Sequence, residues 1–258
     1  MIELRTLGAV DLRGADGREI RSVLAQPKRL ALIAYLAVAR PRGFHRRDVL
    51  LALFWPELGQ QSARGALRKA VYVVRRSLGA GIVVGRGDEE LGLAGEMGDG
   101  EGGVWCDAVA FEQALAARRF GAALELYRGD LLEGFYISGA PEFERWVDRE
   151  RALLRDQAAA AAWALAEGAA ADQRDVLVVQ WARRALDFTP TDEAALRRLV
   201  VLFYRMGDRA AALKAYNEFA ARLFEEYSVR PSAETRKLVE LVKASGEVLT
   251  DTKARPGP

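Results

Sequence analysis

The chain has 258 residues, enough for one large domain or two ordinary ones, and half of them are hydrophobic, so a substantial core can be buried. Its one cysteine, Cys106, excludes an internal disulfide and leaves too few thiols for a zinc or iron–sulfur cluster. The net charge of +2 hides an asymmetry: residues 1–80 carry 15 Lys/Arg against 6 Asp/Glu, a surplus of +9, while residues 81–258 carry 23 against 30, a deficit of −7. A basic head on an acidic body is the distribution expected when one domain meets a polyanion and the other serves a different purpose. The longest apolar runs, Leu30–Ala39 and Ala158–Ala166, fall well short of the ~18–20 residues that a membrane span needs, and MIELRT has no signal-peptide layout. These features predict a cytoplasmic protein that does not enter a membrane.

Along the chain, Ile2, Leu4, Leu7, Val10 and Leu12 alternate loosely before Gly14 and the Asp16–Gly17 turn, which predicts short strands joined by tight turns. Pro27 opens a first helix, KRLALIAYLAVAR, that stops near Pro41–Arg42–Gly43. A second runs through RRDVLLALF to Trp55, where Pro56 ends it.

The third, SARGALRKAVYVVRRSL from Ser62 to Leu78, holds five cationic side chains and no carboxylate. At ~100° per residue from Arg64, the residues Arg75, Arg68, Tyr72, Arg76 and Lys69 share an arc of roughly 0–140°. Ala63, Ala66, Leu67, Ala70, Val71, Val74 and Leu78 share the opposite arc. Solvated faces ordinarily mix signs, because Glu–Lys pairs support a helix, and an all-cationic arc forgoes that support. Ser62 is placed to cap this helix, with Gly65 in its first turn. GIVVGRGDEELGLAG then has the form of a hairpin.

Strands, three helices and a terminal hairpin make a winged helix-turn-helix of residues 1–95, whose third helix would enter the major groove of double-stranded DNA. Arg64, Arg68 and Tyr72 are the candidates for base edges, since the planar fork of Arg can bond guanine O6 and N7 together. Lys69, Arg75 and Arg76 are expected on phosphates. Lys28, Arg46 and Arg47 lie at helix starts, where free amides attract phosphate, and Arg86 on the hairpin is a further candidate.

From Val104 the pattern becomes nearly continuous helix, broken at Gly or Pro, over 104–246. AALELY (Ala122–Tyr127) recurs as AALKAY (Ala211–Tyr216), and Leu196, Leu199, Phe203, Gly207, Ala212 and Tyr216 follow a tetratricopeptide-like spacing, with Val200 and Phe219 where smaller residues are usual. Trp55, Trp146, Trp163 and Trp181 are expected as packing residues between helices. GEMGDGEGGVWCD reads as a surface loop, and 247–258 as a flexible tail. The expected fold is thus mainly α with a small β component.

No nucleophile elbow, phosphate-cradling glycine loop or spaced ligand set occurs, and GRGDEELG misspaces the glycines of a dinucleotide fingerprint. The only histidine, His45, is expected as a cap or surface residue. Asp99, Glu101 and Asp107 do not follow a calcium-loop pattern. Neither an enzyme nor a cofactor or metal site is predicted.

Taken together, LGAVDLR, QPKRLALIAYLA, RRDVLLALFWP, ARGALRKAVYVVRRSL, FEQAL, YRGDLLEGF and APEFERWVDRERALL resemble, in fixed order over residues 2–246, the Streptomyces antibiotic regulatory protein family. That family joins a response-regulator-type winged helix to a bacterial transcriptional activator domain. The resemblance implies an activator bound as two copies to repeated half-sites in contact with RNA polymerase. The chain departs from the family in placing Asp88, Glu89 and Glu90 after Arg86–Gly87, where an aromatic is common, and Gly65 in the reading helix. Those departures keep open a protein-interaction scaffold with a degenerate head. The tail leaves room for a third reading, the N-terminal part of a larger signalling regulator.

Overall fold

The computed structural model describes residues 1–94 and 103–244. Most of the glycine-rich segment expected as a loop, with Asp99 and Glu101, and the whole 247–258 tail lie outside the described residues. Contacts divide the chain into two compact units, Met1–Leu154 and Arg155–Pro258.

The first unit runs β1 (Ile2–Arg5), β2 (Asp11–Arg13), α1 (Arg21–Leu24), α2 (Pro27–Val38), β3 (His45–Arg46), α3 (Arg47–Phe54), α4 (Gln60–Leu78), β4 (Val83–Arg86), β5 (Glu90–Leu93), β6 (Val104–Cys106), α5 (Asp107–Ala116), α6 (Phe120–Leu126) and the start of α7 (Pro141–Ala171). The short α1 precedes the three helices expected in the head. Helix α2 has an apolar residue at nearly every position and buries eight of its twelve residues, so α1, α3 and α4 can all pack on or beside it. The hairpin is confirmed as β4–β5, with Val83 opposite Leu93 and Arg86 opposite Glu90, and β3 joins its other edge through His45 and Leu91.

Three expectations for this unit change. Val104–Cys106 is not the start of a helix or a loop but a strand, parallel to β1 with Leu4 opposite Cys106, completing the order β2-β1-β6. Helix α4 starts at Gln60, not at Ser62: Gly59 is its N-cap with no side-chain cap, and Gly65 falls in the second turn. Two glutamines propagate a helix well enough to carry its start back to the glycine. His45 is neither cap nor surface residue. It is 8 % exposed, edge-on to the Tyr35 ring at 5.1 Å, and burial, then the nearby Arg42 charge, lowers its pKa.

Asp107, at the first position of α5, ties the sheet to the following helices. Its buried carboxylate accepts hydrogen bonds from Thr6 N (2.7 Å), Thr6 Oγ1 (2.8 Å), Leu7 N (3.0 Å) and Ala108 N (2.8 Å). Next to it, burial and then the Asp107 charge push the Cys106 thiol up to about 11. The rings of Tyr35, Phe54, Phe143 and Trp146 form a cluster joining α2 and α3 to the start of α7. Arg40 pairs with Glu112 and Glu150, and Arg42 with Glu112.

The second unit holds the rest of α7 and α8 (Asp175–Phe188), α9 (Glu193–Arg205), α10 (Arg209–Tyr227) and α11 (Ala233–Ala244). Helix α9 packs on α8, α10 and α11. Leu196, Leu199, Phe203 and Ala212 are buried, as the repeat spacing predicts, and the larger Val200 and Phe219 are accommodated in the same core. Asp192 and Asp208 cap α9 and α10 by accepting from Ala194 N and Ala211 N, and Gly207 supplies the left-handed turn between them at φ +77°. The two halves of the sequence echo, Ala122 and Ala211, occupy the third position of α6 and α10, each the second helix of a packed pair. The break between α5 and α6 uses no Gly or Pro: Arg118 takes the left-handed conformation at φ +56°. Trp55, Trp146 and Trp163 are buried, whereas Trp181 is only half-buried, with the Arg184 guanidinium 5.6 Å from its ring centre. Among the described residues no helix is long and apolar enough to cross a membrane.

Glu193 joins α9 to the start of α11. It accepts from Ser232 N, Ser232 Oγ and Thr235 Oγ1. Burial alone would raise its pKa, but these bonds and the Arg197 charge hold it below its ordinary 4.5. Two outcomes follow from these carboxylates. Asp107→Ala, which strands the Thr6 and Leu7 amides in the interior, should cost about 3 kcal/mol or more in urea unfolding, and Asp107→Asn less. A depressed folded pKa means stability that is present above 4.5 and lost as the pH falls through the folded value. The melting-temperature gap between wild type and Glu193→Gln should therefore be widest near pH 7 and close in acid.

Candidate nucleic-acid interface

The unit's basic charge is displayed by α4. Ala63, Leu67, Ala70, Val71 and Val74 are buried against the head's core, which leaves the opposite arc to solvent. Arg64, Arg68, Lys69, Tyr72 and Arg76 are exposed, Tyr72 by 63 %. Among the described residues Arg64, Arg68, Lys69 and Arg76 form no ion pair. A Cβ built on Gly65 meets nothing within 4 Å, so that position opens to space.

Arg75, the fifth cation, is placed differently. It is half-buried and its Nε donates to the Val83 carbonyl at 2.8 Å, fastening α4 to the first wing strand. Arg86 is also engaged, paired with Glu90 at 2.5 Å and lying 4.7 Å from the Phe44 ring centre. Lys28, in the first turn of α2, pairs with Glu57 at 2.8 Å and sits 5.7 Å from the Trp55 ring centre. Arg46 is exposed, 3.4 Å from Asp48. Arg47 has its Nε buried without a hydrogen-bond partner, and burial and then the Arg75 charge lower its pKa.

Sequence inspection did not anticipate the cleft of about 580 Å³ that brings Arg47, Gln61, Arg64 and Arg68 together with Asp88 and Glu89 at the wing tip. The wing reaches it because Arg47 N donates to the Glu89 carbonyl at 2.7 Å. Gln60 and Gln61 also line it, and a glutamine can bond adenine N6 and N7. Their position directly before the cationic run was the available signal. On the other flank of α4, Lys28, Arg29, Lys69 and the 67 %-exposed Tyr136 line a second cleft of about 460 Å³.

Residues 107–243 match the family model described as the bacterial transcriptional activator domain, over more than half of the chain. The chain belongs to that family. The activator domain's match begins at Asp107, so its first helices lie in the same compact unit as α4 and its last in the second unit. The fold is similar to that of Mycobacterium tuberculosis EmbR, solved in complex with a low affinity phosphopeptide, at a TM-score of 0.60 and 21 % identity. That likeness covers 95 % of this chain but only 65 % of the EmbR chain. Among curated proteins no match reaches significance. The activator-domain match and the winged-helix-plus-helical architecture agree with the resemblance to the Streptomyces antibiotic regulatory protein type.

The geometry separates the fold-bearing cation from the displayed ones. Arg75→Ala removes a charge-assisted hydrogen bond and should cost about 1.5–3 kcal/mol of stability. Arg68→Ala should stay within about 0.5 kcal/mol of wild type by the same urea unfolding.

Proposed function

We propose that the chain is a sequence-specific DNA-binding transcriptional regulator, an activator, with residues 1–95 as the DNA-binding part and 104–246 as the activating part. The observation that carries this reading is the outward arc of α4, cationic and, among the described residues, without ion pairs, on a helix whose other face is buried. A helix displayed in this way suits the major groove. Arg64, Arg68 and Tyr72, with Gln61 beside them, are assigned to base edges. Lys69 and Arg76 are assigned to phosphates, with Lys28, Arg46 and Arg47 supporting them from helix starts. Arg75 and Arg86 are assigned a smaller share, and so are Lys28 and Arg46, since each already holds a partner within the head. Two copies on repeated half-sites and contact between the helical part and RNA polymerase complete the proposal.

One feature favours a second reading, a protein-interaction scaffold. Asp88 and Glu89 share the cleft of Arg64 and Arg68, and carboxylates there oppose a phosphate backbone. Selection of bound oligonucleotides from a random pool, followed by titration with salt, separates the two. The regulator is expected to enrich a defined site and to show a log–log salt slope near −4 to −5 for about five phosphate contacts. On the selected site Arg68→Ala should cost about 1–3 kcal/mol and relax sequence preference, whereas Arg76→Ala should weaken specific and random DNA alike. An unenriched pool would assign the head to the scaffold, and equal losses for Arg68→Ala on both DNAs would remove it from base reading.

A further inference from the structure

Within the second unit α9 floors a groove whose walls are α7 and α11, with a volume of about 670 Å³. Its surface is mainly apolar: Trp163 from α7, Val201 and Leu202 from α9, Leu238 and Leu241 from α11. Leu241 is 60 % exposed. Apolar surface gathered in a concavity and left to water costs free energy that a ligand with an apolar body would recover.

The charges of the lining decide what kind of ligand. Arg198 lies 4.2 Å from the Trp163 ring centre and pairs with Glu167. Arg197 is held by Thr235 and by Glu193 and Glu234. Both of those cations, and both lining carboxylates, are therefore committed within the unit. Arg205 on α9 and Lys237 on α11 line the same groove, are exposed, and have no partner among the described residues. The groove thus presents two uncompensated positive charges beside an apolar floor.

At about 670 Å³ the groove has the size of a small-molecule site. Small-molecule sites run at about 300–1,000 Å³. We propose that this groove is a binding site for a small amphipathic anion, an apolar body ending in a carboxylate or sulfonate, with Val201, Leu202 and Leu241 meeting the body and Arg205 and Lys237 the acid. The site is independent of the DNA reading, because its binding is measured without DNA.

The test is calorimetry of the full chain with octanoate, decanoate and dodecanoate, kept below micelle-forming concentrations. One site per chain is expected, tightening roughly fourfold for each added CH2 group. Arg205→Ala/Lys237→Ala should weaken dodecanoate at least tenfold while leaving dodecanol unchanged. Leu241→Glu, an exposed position where the fold is not at stake, should weaken both. Absence of saturable binding, a stoichiometry above one, or a double variant that binds dodecanoate as wild type would overturn the proposal. So would an acidic helical peptide that saturates the groove where the alkyl acids do not, since the groove would then belong to a protein partner.

Discussion

Everything proposed for the head depends on one helix having two incompatible faces. Burying Leu67, Val71 and Val74 contributes roughly 1.5–3 kcal/mol for each fully buried side chain. That burial offsets the mutual repulsion of an arc of cations which gains nothing from i,i+4 ion pairs. Since the apolar stripe can only face the core, the cations can only face out. Helix α2, buried almost all round, supplies the surface against which the stripe is held.

The structure also divides the cations by task. Arg75 is drawn inward by the Val83 carbonyl and fastens α4 to the wing, whereas Arg64, Arg68, Lys69 and Arg76 keep their charge for solvent or a ligand. The wing tip then places Asp88 and Glu89 beside the N-terminal half of α4. Under the proposed function those carboxylates penalise any loosely placed phosphate, so binding depends more on bonds to base edges and less on bulk attraction. On that proposal an acidic wing and a basic reading helix would work as one device that trades affinity for discrimination.

The first unit is broader than a winged helix alone. Strand β6 adds a parallel neighbour to β1, Asp107 bonds the chain just after β1, and the rings of Phe143 and Trp146 meet those of Tyr35 and Phe54. The head therefore shares its core with the beginning of the activator domain. The second unit is organised by its caps and by bridging carboxylates, of which Glu193 makes the most bonds. It leaves open the groove between α7, α9 and α11, where Arg198 of α9 covers the Trp163 ring of α7.

What the sequence determined by itself is whatever depends on near neighbours along the chain. The helices after Pro27, before Pro56 and around Gly207, the hairpin at Gly87, the two arcs of α4 and the repeat spacing from Leu196 to Tyr216 are all written within a few turns. Tertiary structure alone decided the outcomes that require residues distant in sequence to meet. Three residues at Val104–Cys106 have no periodicity to read, and they become a strand because β1, about a hundred positions earlier, offers an edge. His45 is buried because Tyr35 packs against it, Arg75 turns inward because Val83 presents a carbonyl, and Arg205 and Lys237 share a groove because α11 packs on α9. Periodicity specifies which face of an element is apolar; which partner covers that face, and what is left uncovered, is settled only when the whole chain competes for the same core.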